Sequence, residues 1–167
     1  MLQISPEAMD LTVAGFEDRP GVAYQSTASM APSPSPGKWI RTLGHPWRAA
    51  SLTLFTALHG ITAHHDKLYP CAAARGDKRT EARLVRALGL APSLCDNDGI
   101  VPIRSQLWGT LAWAGFGDHL DVLGHYRDDR PEKHATLRHH DWLTSGSSFD
   151  SKNFNALMDS VAKGMLK

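Results

Sequence analysis

Two short segments gather acids and a histidine: Asp96-Asn97-Asp98-Gly99-Ile100-Val101-Pro102 and Gly117-Asp118-His119-Leu120-Asp121-Val122-Leu123-Gly124-His125. In the first, a carboxylate stands directly before a glycine and a short apolar run, which suits a sharp loop that presents the acid. In the second, a histidine lies between two aspartates. A carboxylate that accepts the Nδ1 proton of a histidine fixes its tautomer and stabilises the imidazolium, as the acid–base half of acyl transfer requires. Asp98 is therefore the candidate acid and His119 the candidate base. Asp96 is the main rival to Asp98. Asp118 and Asp121 rank behind it, because loop residues adjacent in sequence commonly point in different directions.

Other chemistries find less support. Nine histidines invite a zinc reading, above all His64-His65 and His134 with His139-His140, yet no His-Glu-x-x-His motif is present. Asp96-Asn97-Asp98-Gly99 is not an EF-hand loop, whose glycine follows ligand positions 1, 3 and 5 in order. Cys71 and Cys95 form no Cys-x-x-Cys motif and allow either one disulfide or two free thiols.

Spacing along the chain predicts the scaffold for these segments. Ser5-Pro6-Glu7 opens a short helix over about Pro6–Phe16. Gly21–Met30 reads as a strand with Val22, Tyr24, Ser26, Ala28 and Met30 on one face. The proline-rich stretch Ala31–Gly37 is a linker or excursion. Pro46 starts a helix whose stripe Trp47, Ala50, Leu54, Leu58 and Ile61, widened by Leu52 and Phe55, predicts burial against the core or over something apolar. A basic helix is predicted over Thr80–Leu88, with Leu84, Val85 and Leu88 inward and Gly89 as its stop. After the polar pair Asp150-Ser151, the residues Phe154, Leu157, Met158, Val161 and Met165 mark an amphipathic C-terminal helix.

Composition sets the bounds. The chain has 167 residues, 42% of them hydrophobic and 21% charged, which suits one globular domain with its own core. The net charge of +1 gives no overall electrostatic footprint for nucleic acid or an anionic membrane. No apolar run is long enough to span a bilayer, since Ala49–Ala63 is interrupted by Ser51, Thr53, Thr56, His59 and Thr62. Met1–Glu7 has neither the basic flank nor the apolar stretch of a secretory signal, and the compartment stays open.

Asn97-Asp98-Gly99-Ile100-Val101, followed by Ser105-Gln106-Leu107-Trp108-Gly109 and then Asp118-His119-Leu120-Asp121, resembles the C-terminal half of bacterial lipases of the α/β-hydrolase family. Ile4–Asp10 and Pro20–Tyr24 are also similar to the stretch those lipases place after their nucleophile. The resemblance implies the chain order serine, aspartate, histidine, with Asp98 and His119 as the last two members. It implies a partial α/β-hydrolase fold over residues 1–167: C-terminal strands, a linker and helical cap or lid over 31–90, and a closing helix. It further implies hydrolysis of apolar acyl esters with no organic cofactor, and makes Asp121 a candidate ligand of a structural calcium. On its own residues Asp121 is a solvated or turn-capping carboxylate. Proteins of the family it resembles are often secreted.

One part of the family pattern is missing. No two glycines stand four apart, so the Gly-x-Ser-x-Gly nucleophile elbow is absent, and Gly146-Ser147-Ser148 lies downstream of His119. The expectation is a distal hydrolase portion that is inactive alone and depends on an N-terminal segment for its nucleophile. Two alternatives stand beside it: a non-catalytic hydrolase remnant acting as a binding module, and a histidine-rich metal-binding domain.

Overall fold

The computed structural model describes residues 15, 17–64, 77–124, 126–127 and 138–166. The helix read over Pro6–Phe16, apart from Gly15, lies outside them, as do Cys71, His65 and His134. Cys95 is exposed.

The architecture is mixed α/β. Strand β1 (Gln25–Met30) pairs in parallel with β2 (Thr110–Phe116), with a shift in register between Ser26 and Thr27. Parallel neighbours need a long crossover, and here it carries helices α1 (Pro36–Ile40), α2 (Pro46–Ala63) and α3 (Lys78–Leu88). A short antiparallel pair, β3 (Tyr126–Arg127) with β4 (Arg138–His139), follows, and α4 (Ser151–Met165) ends the described chain. Among the described residues no helix is long and apolar enough to cross a membrane.

The predicted strand is shorter than Gly21–Met30, because Gly21 takes a positive φ of 80° and turns the chain before Gln25. The proline-rich linker also holds more structure than expected. Pro36 occupies the first turn of α1, where a missing N–H costs nothing. Strand β2 carries two alanines and a glycine, residues of low strand preference, and its position is set by pairing with β1 rather than by propensity.

Among the described residues two apolar clusters form the core. Ala28, Met30, Leu84, Leu88, Ile103 and Leu111 pack α3 against the sheet. Ala31, Leu52, Phe55 and Leu143 pack α2 beneath the loops that follow the strands. Helix α3 stops as predicted, with Gly89 left-handed, but starts two residues earlier than Thr80, because the Asp77 carboxylate caps it by accepting from the Thr80 N–H. Its inward residues are Thr80, Leu84 and Leu88, while Val85 is exposed.

Helix α2 differs more. The predicted stripe is not the buried one: Ser51, Leu52, Phe55 and His59 face the body, whereas Trp47, Leu54 and Ile61 are exposed. The helix is apolar on two sides, and periodicity does not say which side meets the core. Helix α4 is likewise rotated. Leu157 is its buried residue, Met158 and Met165 are exposed, and Gly164 lets the helix approach Gln25 so closely that a β-carbon would collide with the side-chain amide.

Candidate functional site

Both candidate segments sit at the carboxyl ends of the parallel strands. The Ala31 N–H, just after β1, bonds the Asn97 carbonyl at 2.9 Å, and the Gly117 N–H, just after β2, bonds the Met30 carbonyl at 3.1 Å. This end of a parallel sheet is where open α/β folds place their ligands.

Each residue of Asn97-Asp98-Gly99 has a separate task. Asn97 is fully buried. Its Nδ2 donates to the carbonyls of Cys95 and His59, at 2.9 and 3.2 Å, and its Oδ1 accepts from the Gly99 N–H at 2.8 Å. Gly99 has φ of 98°, and a β-carbon there would meet the Phe55 ring at 3.1 Å. Asp98 is buried, with Oδ1 accepting from the N–H groups of Ile100 and Val101 at 2.9 and 2.7 Å. These bonds leave Oδ2 free to face the second segment.

Asp98 Oδ2 lies 2.9 Å from His119 Nδ1. The His119 N–H also bonds the Asp98 carbonyl at 2.9 Å, so backbone and side chain are registered together. The hydrogen bond to Asp98 raises the His119 pKa above its usual value, against desolvation that lowers it. The histidine side chain is 42% exposed while that of Asp98 is 4% exposed. A buried carboxylate thus orients an accessible imidazole; facing an ionised Asp98, the neutral ring places its proton on Nδ1 and leaves Nε2 as an acceptor. Asp96 takes no part in this pair; its Oδ2 accepts from the Ser93 N–H at 2.6 Å.

The loop around His119 is braced from both sides. Asp118 Oδ1 accepts from the N–H groups of Leu120 and Asp121, and Asp121 Oδ2 accepts from the Asp118 N–H and the Ser147 hydroxyl. Asp121 is therefore turn-capping but not solvated, at 1% exposure. Asp118, Asp121 and Asp141 each bring a carboxylate oxygen within 4.8 Å of the others. Burial, and then the charge of Asp118, pushes the Asp121 carboxyl up to about 7. Burial raises Asp118 as well, and Asp118 Oδ2 is a buried acceptor with no hydrogen-bond partner among the described residues. These three carboxylates could hold a metal, whereas no such cluster among the described residues includes a histidine.

Three contributors were not legible as such in the sequence. Gln106 accepts from the Ser29 N–H at 2.7 Å and donates to the Ser29 and Val101 carbonyls at 3.1 Å, tying the end of β1 to the acid turn. Ser147 holds Asp121. The Lys38 ammonium bonds the Pro32 and Ser145 carbonyls, and burial lowers its pKa while the charge of Asp141 raises it. The one available signal was the place of Gln106 inside Ser105–Gly109.

No family model, curated protein or solved structure matches the chain.

Proposed function

We propose that this chain is the distal portion of a lipase-like serine ester hydrolase of the α/β-hydrolase fold, acting on apolar acyl esters. The observation that carries this reading is the buried Asp98 carboxylate bonded to Nδ1 of an accessible His119 beyond the ends of two parallel strands. In that reaction His119 Nε2 takes the proton of a serine hydroxyl as the oxygen attacks the ester carbonyl. The same proton then passes to the leaving alkoxide, and Asp98 stabilises the intervening imidazolium. The serine belongs to an N-terminal segment bearing Gly-x-Ser-x-Gly.

No organic cofactor enters this reading. Asp118, Asp121 and Asp141 form a hard-oxygen donor set suited to calcium, and the unbonded Asp118 Oδ2 is where a cation would be of most use. Bound there, calcium would neutralise the carboxylates and fix the loop that carries His119. The cluster adjoins that loop, and its role in this reading is structural.

The test is complementation. The chain is co-expressed with a strand–Gly-x-Ser-x-Gly–helix segment of a lipase-like hydrolase, and cleavage of p-nitrophenyl esters is followed. His119→Ala should lower the rate by about a thousandfold or more; full activity of that variant would refute the assignment. A complemented chain that melts cooperatively as a monomer yet cleaves nothing would favour the non-catalytic binding module.

A further inference from the structure

We infer that the cavity between the start of α3 and the end of α4 is a binding site for a small organic phosphomonoester. It lies at the amino ends of the parallel strands, lined by Gln25 and Thr110, the first residues of β1 and β2, whereas the Asp98–His119 pair lies beyond their carboxyl ends. The site is therefore independent of ester hydrolysis. Its volume of about 740 Å³ falls within the range of about 300–1,000 Å³ that takes a small molecule. Its walls are fixed to one another. The Thr110 N–H bonds the Tyr24 carbonyl at 2.9 Å, joining the two strand starts, and Gln25 Nε2 donates to the Val161 carbonyl of α4 at 3.3 Å. On the other side the Asp77 carboxylate holds the first turn of α3 by accepting from the Thr80 N–H at 2.7 Å. That N–H is already taken, so the helix end is not what marks the site.

Charge selects the ligand. Arg79 and Arg83, one turn apart on α3, and Lys163, near the end of α4, line the cavity from two sides. None of the three forms a salt bridge among the described residues. Asp77 is the lone acid of the lining, so three positive charges stand against one negative, an excess of two. That balance suits a dianion. Guanidiniums pair with phosphate oxygens through two parallel hydrogen bonds, and a phosphate offers more than one such edge where a carboxylate offers a single one. Tyr24, Ala112 and Met165 add apolar surface to the wall, which fits the organic body that carries the phosphate.

The experiment is calorimetric titration of the full chain with phenyl phosphate, which is largely dianionic at about pH 7.5, and with sulfate and phenol. Phenyl phosphate should bind at one site, with an affinity that falls as salt is added; phenol should not bind, and sulfate should bind more weakly. Arg83→Gln with Lys163→Gln should weaken phenyl phosphate binding about tenfold or more. Both residues are exposed, so the ligand-free melt of that variant should match the unaltered chain. His119→Ala should bind phenyl phosphate as the unaltered chain does, whether or not complementation yields ester cleavage. No saturable binding at about millimolar concentration, equal binding of sulfate, or binding untouched by the double substitution would overturn the inference. So would loss of binding in His119→Ala, which would assign the ligand to the acid–base pair. The comparison of ligands uses the unaltered protein, so the answer does not depend on how a variant folds.

Discussion

The Asp98–His119 bond leaves a measurable trace in the imidazole itself. The His119 pKa lies above its usual value because Asp98 holds the charged form. The stabilisation this gives is complete below the unfolded histidine value of about 6.5 and is lost as pH rises through the folded value. NMR titration of the imidazole should show the raised pKa. Asp98→Asn should return it toward the ordinary value while costing about 1–2 kcal/mol in the acid range, a figure reduced for the solvent that screens the half-exposed ring. Asn97 offers a second check. Its buried side chain satisfies the His59 and Cys95 carbonyls and the Gly99 N–H, so Asn97→Ala should cost about 2–4 kcal/mol in a urea melt. The contact of Asp98 with His119 was legible as a candidate because a carboxylate before a glycine and a histidine further on are recognisable by residue type. Asn97 was legible only as a turn residue, since its partner on α2 is remote in sequence.

The 118–121 turn and the 141–148 loop meet through acids whose negative charges repel one another. Asp121, raised to about 7, favours the folded state when protonated. Its contribution is full below about 4, the unfolded carboxyl value, and is lost as pH rises through about 7. Thermal melts should therefore show lower stability at pH 8 than at pH 5.5, with Asp121→Asn flattening that difference. Under the calcium reading, added calcium should raise the pH 8 melting temperature and have little effect at pH 5.5, and chelator should reverse it. The aspartates were visible in the sequence, but the junction was not, because Asp141 and Ser147 reach Asp118 and Asp121 only when the chain folds back. Helix α2 shows the same limit: its existence and start at Pro46 follow from local signals, while the choice between its two apolar sides does not.

Across the molecule, Phe55 couples the second apolar cluster to the site, since its ring packs under Gly99 of the acid turn. Phe55→Ala should lower global stability by about 3–5 kcal/mol and also disturb the His119 imidazole signal, which a purely peripheral packing loss would leave unmoved. Local order is written plainly in the chain: the start of α2 at Pro46, the stop of α3 at Gly89 and the strand running to Met30 all follow from caps and turn residues that act within a few positions. The adjacency of β1 and β2, the contact between Asp98 and His119, and the covered faces of α2 and α4 emerge only on folding. Those outcomes depend on contacts between residues far apart in the chain, and such contacts are energies of packing that no local pattern contains.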